Sequence, residues 1–102
     1  MANIKEARQA LVTRVLDGDG KAPRPQRRAA FDNTGLTGAV ATLVDKVAKH
    51  AHRVTDDDVA AVRASGLSED QIYELVVCAA IGEATRQLDA GLAALAAARG
   101  GK

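Results

Sequence analysis

Two clusters of acidic side chains lie close together in the segment VTDDDVAAVRASGLSEDQIYELVV, residues 54–77. Asp56–Asp58 come first and Glu69–Asp70 follow. Neighbouring carboxylates can serve as general acid and base or hold a metal ion, but consecutive residues of a helix point about 100° apart and do not converge on one ion. Thr55 and Ser68, which precede the clusters, are of the types preferred at helix N-caps. We therefore predict that the acids begin two helices and face the positive ends of their dipoles.

Two side chains in the apolar last third of the chain are candidates for catalysis. Cys78 could act as a nucleophilic thiol, but no His or Lys stands three or four positions away to activate it, so the alternative is an inert, buried thiol. Glu83 follows the apolar run. Its carboxylate either pairs with Arg86 or Gln87 at helical spacing, or stands at the mouth of a pocket and acts as a base.

Basic side chains offer a second kind of site, one that binds an anion or a phosphorylated ligand. Arg24, Arg27 and Arg28 form one basic cluster, and we assign Arg86 to the same kind of site. The alternative for the cluster is a solvated turn docked on the acids of a neighbour. The two histidines of residues 50–52 would point about 200° apart on a helix, and two ligands alone make a weak zinc site. We predict no metal and no cofactor.

Helices must position all of these side chains. Apolar residues recur at steps of three and four along the chain, and no segment alternates with a period of two, so the sequence predicts no strands. We expect one all-α domain of about five helices, two of them short, over residues 1–102. Residues 1–35 supply the first helix and a basic segment with two prolines. Residues 36–98 supply a core with one helix at about 36–51 and a long last helix that begins at Ser68.

The last helix is expected to be central, because it is apolar nearly all round between Leu75 and Gly82. Gly66 suits a left-handed residue that ends the helix before it. Ser68 followed by Gln71 has the Ser-x-x-Gln form of a capping box. On a helical wheel, one face of the last helix predicts the main core stripe, which consists of Val77, Ile81, Ala84, Leu88, Leu92 and Leu95.

The composition limits the classes of protein to which the chain can belong. Aromatic residues make up 2% and much of the apolar 47% is alanine, so we expect a thin core that gains stability from self-association. The net charge of +1 is far below that of most nucleic-acid-binding domains. With one cysteine, no intrachain disulfide can form. We expect neither a secretory leader nor a membrane span, and hence a cytoplasmic protein with no nucleic-acid or membrane partner.

The segment VTDDDVAAVRASGLSEDQIYELVVCAAIGEATRQLDAGLAAL resembles the C-terminal half of the carboxymuconolactone decarboxylase and alkylhydroperoxidase D-like superfamily. The resemblance rests on the VTDxDV start, on RASGLSEDQI, on the apolar helix, and on Arg86 followed by a small-residue tail that ends in Gly91-Leu92. LVDKVAKHAHR upstream fits as well, so about residues 36–95 are covered. The resemblance implies the all-helical fold of that superfamily, whose redox-active members are antioxidant proteins.

The same resemblance implies a degenerate active site. Active redox members carry Cys-x-x-Cys with a His four residues on and a Glu upstream, and this chain has no Cys-x-x-Cys. We therefore expect a non-redox, oligomeric member that acts as a binding, scaffold or accessory subunit. Its expected partners are copies of itself and, in the accessory role, a partner enzyme. The alternative is an enzyme, either a single-cysteine thiol peroxidase using Cys78 or a cofactor-free lyase or isomerase using Glu83.

Overall fold

The computed structural model describes residues 3–100, and most of these are helical. The elements in chain order are α1 (Asn3–Asp17), α2 (Arg24–Asp32), α3 (Gly38–Lys49), a 3₁₀ turn (Ala51–Arg53), α4 (Asp56–Ala64) and α5 (Glu69–Gly100). Helices α2 and α4 are short, and no strand occurs among the described residues. The predicted all-α fold of about five helices is confirmed.

Side-chain caps begin α4 and α5 at the places that the acid clusters predicted. The backbone N–H of Asp58 donates to Thr55 Oγ1 at 3.3 Å, and the Asp58 carboxylate accepts the backbone N–H of Thr55 at 2.9 Å. Ser68 and Gln71 form the same reciprocal pair at α5, at 3.1 and 2.9 Å. Gly66, between the two helices, has a φ of +110°, the left-handed region expected there. Both acid clusters therefore lie in first turns of helices.

Glycine, proline and asparagine delimit the earlier helices. Helix α1 ends directly before Gly18. Pro25 lies in the first turn of α2, where its missing N–H breaks no intrahelical bond, and Asn33 ends that helix with a φ of +52°. Helix α3 is shorter than the predicted 36–51. The positive φ of Gly38 (69°) interrupts helical geometry at its start, and a 3₁₀ turn replaces its last residues.

Helix α5 is the central element, as predicted, and it contacts each of the other four helices. The larger core cluster joins α1, α2, α3 and α5 and consists of Leu16, Ala22, Ala30, Phe31, Val44, Leu75, Cys78 and Ala79. A smaller cluster between α3, α4 and α5 consists of Leu43, Val62 and Ile72. Because many of these side chains are small, the core buries little apolar area for each residue that it contains.

The end of α2 lies directly against the backbone of α5 at Gly82. A Cβ atom on this glycine would lie 2.0 Å from the carbonyl oxygen of Phe31, so a larger residue cannot occupy the position without moving α2. One turn further along α5, Arg86 Nη1 donates to the same carbonyl oxygen at 2.7 Å. Arg86 thereby satisfies one of the carbonyls that α2 leaves unpaired at its C-terminus.

Every residue of α5 from Arg86 to Gly100 is exposed, although Arg86 still contacts α2 and Asp89 still contacts α1. We call this part the overhang. Leu88, Leu92 and Leu95 are 41%, 51% and 48% exposed, and Ala84 before them is exposed as well. The predicted core stripe is therefore wrong from Ala84 onward, although Ile81 packs against the larger cluster. A helical wheel identifies a face but not where its neighbours end. Neither α5 nor any other helix among the described residues is long and apolar enough to cross a membrane.

Candidate functional site

A groove of about 550 Å³ runs between α1 and the first half of α5, a volume typical of small-molecule sites. We call it the α1–α5 groove. The residues on its walls include apolar Leu11, Val15 and Val77, charged Arg14, Asp19, Arg27 and Glu74, and the thiol of Cys78. Two of the predicted site residues, Arg27 and Cys78, are therefore brought together here.

Arg27 is the buried charge of the groove, with 5% of its surface exposed. Its Nη1 donates to the backbone oxygen of Gly18 at 2.7 Å and to that of Val15 at 3.5 Å. These carbonyls lie at the C-terminal end of α1, where a cation is favourable and where the helix leaves its carbonyls unpaired. The Nε of Arg27 is buried without a hydrogen-bond partner. The side chain thus has donor capacity that none of the described residues uses.

The other two arginines of the predicted basic cluster lie on the outside of the molecule. Arg24 Nη2 donates to the backbone oxygen of Asp17 at 3.1 Å, and Arg28 pairs with Asp32 at 3.0 Å. The Arg28 guanidinium also lies 5.7 Å from the centre of the Phe31 ring. The structure therefore separates Arg27, which lines the groove, from two exposed arginines that do not.

Cys78 lies on the wall of the groove with 1% of its surface exposed. Its Sγ–H donates to the backbone oxygen of Val15 at 3.3 Å. Burial raises the pKa of the Cys78 thiol above its ordinary value of 9.0, the Arg27 charge partly opposes that rise, and the Glu74 charge adds to it. The reactive thiolate form is therefore disfavoured at neutral pH.

Glu74 belongs to the groove and was not among the predicted site residues. Its two carboxylate oxygens accept the backbone N–H groups of Lys21 at 2.8 Å and Ala22 at 2.7 Å. Burial alone would raise the pKa of Glu74, but these bonds and the nearby charges of Arg27 and Lys21 lower it overall. A Cβ atom on Gly20 would lie 2.7 Å from Glu74 Oε1, so the loop approaches closely. Glu74 remains an ion that anchors this loop.

Glu83 and Arg86 lie outside the α1–α5 groove, next to the end of α2. Arg86 Nη2 pairs with Glu83 Oε1 at 3.1 Å, and Gln87 Nε2 donates to Glu83 Oε2 at 3.3 Å. Both pairs follow the predicted helical spacing. Positions 78 and 83 are separated by about 140° around the helix, so the structure does not bring the two candidate catalytic side chains together.

His50 and His52 lie on the surface, with ring centres 6.3 Å apart. Between residues 3 and 100, no group of three or more His, Cys, Asp or Glu side chains is arranged to hold a metal ion. Nearby, Lys46 Nζ pairs with the Asp58 carboxylate at 2.8 Å and joins α3 to the cap of α4.

No protein-family model, curated protein or solved structure matches this chain significantly. Membership of the carboxymuconolactone decarboxylase and alkylhydroperoxidase D-like superfamily therefore remains a prediction from the residues quoted above.

Proposed function

We propose that the chain is a self-associating, non-redox binding subunit: a cytoplasmic member of the carboxymuconolactone decarboxylase and alkylhydroperoxidase D-like superfamily that serves as a scaffold or as an accessory to a partner enzyme. The overhang carries this proposal, because it exposes three leucines on one face of a helix. The superfamily assignment is supported by the sequence of residues 54–95.

The overhang has few contacts that could stabilise it as a single helix. It is roughly 20 Å long, and isolated helices of this length are marginal in water even when they are rich in alanine. An ion pair between Arg8 and Asp89 ties its first turns to α1. Covering the exposed halves of Leu88, Leu92 and Leu95 would contribute roughly 1 kcal/mol for each leucine. A partner surface would therefore stabilise the helix as well as the complex.

The spacing of the leucines favours a second copy of the chain as the partner of this surface. The leucines are spaced by four and then three residues, the pattern of a coiled-coil seam. The spacing of the three leucines is almost the same in either chain direction. An antiparallel copy would place Leu88 opposite Leu95, with Leu92 near the symmetry axis. Such a contact is self-complementary, as a twofold interface requires.

Small residues beside the leucine seam also suit a close helix pair. Ala84, Gly91 and Ala98 recur every seven residues along one edge of the seam. A Cβ atom on Gly91 would meet no described residue within 4 Å, so no contact among residues 3–100 requires glycine there. Glycine nevertheless costs about 1 kcal/mol relative to alanine within a helix. Close packing of a second helix against this edge would explain why a glycine stands at position 91. Arg86 and Asp89 already pair within the chain and would not oppose the approach.

The non-redox part of the proposal is supported by the surroundings of Cys78. A peroxidatic thiol attacks as a thiolate that the peroxide can reach, whereas this thiol is buried, bonded to a carbonyl and higher in pKa than an ordinary cysteine. Glu83 is engaged by Arg86 and Gln87, which supports a role in packing. No contact of either side chain favours the enzyme alternatives over the binding subunit.

Light scattering on purified protein at tens of micromolar tests the self-association. We expect a mass near twice 10.6 kDa or higher for the wild type, and a mass near 10.6 kDa for Leu92→Gln. Leu11→Gln is the matched control, because Leu11 is 45% exposed but lies on α1, and it should keep the wild-type mass. A wild-type mass near 10.6 kDa would refute self-association. Equal masses above that value for all three proteins would exclude the overhang as the interface.

A further inference from the structure

We propose that the α1–α5 groove binds a small aliphatic carboxylate, whose charged group pairs with Arg27 and whose hydrocarbon tail lies along the apolar wall. This names a ligand class for the binding subunit and in that respect rests on the proposed function. It does not require the overhang to self-associate, so the two ideas can fail separately.

The unused edge of the Arg27 guanidinium carries the inference. Nη1 is committed to the carbonyls of Gly18 and Val15. Nε and Nη2 form the opposite edge. Nε is buried without a partner, and Nη2 makes no hydrogen bond to any described residue. A buried donor without an acceptor is unfavourable. Because Nε is sealed from solvent, a carboxylate in the groove accepts first from Nη2, and the guanidinium must turn toward the ligand for Nε to donate the second of two parallel charge-assisted bonds. The missing partner is therefore an acceptor, and an anionic one is preferred.

The acidic side chains of the groove do not exclude an anion. Both oxygens of Glu74 accept backbone N–H groups of the Lys21–Ala22 loop, and the nearby charges of Arg27 and Lys21 offset its charge. Asp19 is exposed at the surface. Arg14, also on the wall, forms no ion pair with any described residue and offsets Asp19. An incoming carboxylate thus meets two arginines with unused donors.

The rest of the wall specifies the tail of the ligand. Leu11 is 45% exposed although it lines the groove, and Val15 and Val77 beside it are half-buried. A hydrocarbon tail would cover these side chains and gain free energy from the apolar area removed from water. The volume of about 550 Å³ is within the range of sites for small molecules. A medium-chain fatty acid combines this tail with the required head group.

Isothermal titration of the full chain with three probes tests the ligand class. Octanoate should bind saturably with one site per chain. 1-Octanol has the same tail without the charge and should bind at least about tenfold more weakly, as should acetate, which has the charge without the tail. Octanoate should also shift the Nε–Hε resonance of Arg27 in an NMR titration. Unsaturable octanoate binding, or equally tight binding of 1-octanol or acetate, would overturn the proposal.

Variants place the site in the groove. Arg27→Lys keeps the charge but loses the fork, and it should weaken octanoate binding about tenfold or more. Because Arg27 also holds the carbonyl of Gly18, two exposed positions keep the test informative if that variant does not fold. Arg14→Gln should weaken binding about two- to fivefold and Leu11→Gln several-fold, whereas Arg53→Gln, an exposed arginine outside the groove, should bind like the wild type. Wild-type affinity in both Arg14→Gln and Leu11→Gln would refute the placement.

Leu92→Gln separates this inference from self-association. The substitution lies on the overhang, so it should leave octanoate binding within about twofold of the wild type even as the mass falls. A failure to bind octanoate in a wild-type protein that still self-associates would overturn the groove inference alone. A monomeric wild type that binds octanoate would overturn self-association alone.

Discussion

Replacing Gly82 with alanine tests the contact between α2 and α5 on which the fold depends. The new Cβ atom would lie 2.0 Å from the oxygen of Phe31, and 2.7 and 2.9 Å from the carbonyl carbon and Cα of that residue. All three are backbone atoms, so no side-chain rotation relieves the overlap, and the end of α2 must move by roughly 1 Å in a close-packed interior. Overpacking of this kind costs about 1–3 kcal/mol.

Two smaller effects act on the same substitution. Alanine is favoured over glycine within a helix by about 1 kcal/mol, which opposes the loss. Moving α2 weakens the bond from Arg86 to Phe31, whose contribution we take as about 1 kcal/mol because Arg86 is partly solvated. These two effects nearly cancel, so the free energy of unfolding should fall by about 1–3 kcal/mol. The melting temperature should fall by roughly 5–20 °C for a domain of this size.

Thermal denaturation followed by circular dichroism measures the effect, in the Leu92→Gln background so that self-association does not contribute. Gly91→Ala is the matched control on the same helix, because its Cβ atom would meet nothing within 4 Å. It should gain about 0.5–1 kcal/mol from helix propensity. If Gly82→Ala melts at or above its parent, the close approach of Phe31 to α5 is wrong.

Three further predictions concern the caps, the anchored loop and the thiol. Ser68→Ala should lower the free energy of unfolding by about 1 kcal/mol through the lost cap, and Gly66→Val should lower it further because a β-branched residue resists a φ of +110°. If both variants melt like the wild type, the helix–turn–helix assignment is wrong. The lowered pKa of Glu74 means that its carboxylate stabilises the fold above its ordinary value of 4.5 and loses that effect as the pH falls through the lower folded-state pKa. Glu74→Gln should therefore reduce the loss of stability measured by denaturant titration below pH 4.5, and an unchanged acid dependence would contradict this. Cys78 should react with a disulfide reagent only when the protein unfolds. The wild type should also consume hydroperoxides with a dithiol reductant no faster than Cys78→Ser does. Peroxide turnover by the wild type that Cys78→Ser lacks would show that Cys78 is a nucleophile.

The parts of the fold that could be predicted from sequence are those encoded by neighbouring residues. A cap needs a hydroxyl and an acceptor three residues later, so the residue types at Thr55 and Ser68 are enough to identify two helix starts. Gly66 and Asn33 mark helix ends for the same local reason. The apolar run before Gly82 indicates that α5 is central.

The candidate groove could not be predicted in this way, because its contacts join distant parts of the chain. Glu74 accepts from Lys21 and Ala22 across more than 50 residues, and no spacing in the sequence reports that pairing. Arg27 has the same residue type as the exposed Arg24 and Arg28 beside it, and only the packing of α2 against α1 distinguishes it. The sequence predicts a buried position for the leucines of the overhang because a helical wheel does not show where neighbouring helices end.

Single-cysteine cross-linking tests most directly whether two overhangs contact each other. Gly91 lies near the symmetry axis of the proposed antiparallel pair, so Gly91→Cys in a Cys78→Ser background should form a disulfide-linked dimer quickly under mild oxidation. Ala60→Cys, on the exposed surface of α4, is the control in the same background and should remain mostly a single chain. Efficient linkage at Gly91 with little at Ala60 is the expected result, and equally slow linkage at both positions would contradict self-association through the overhang.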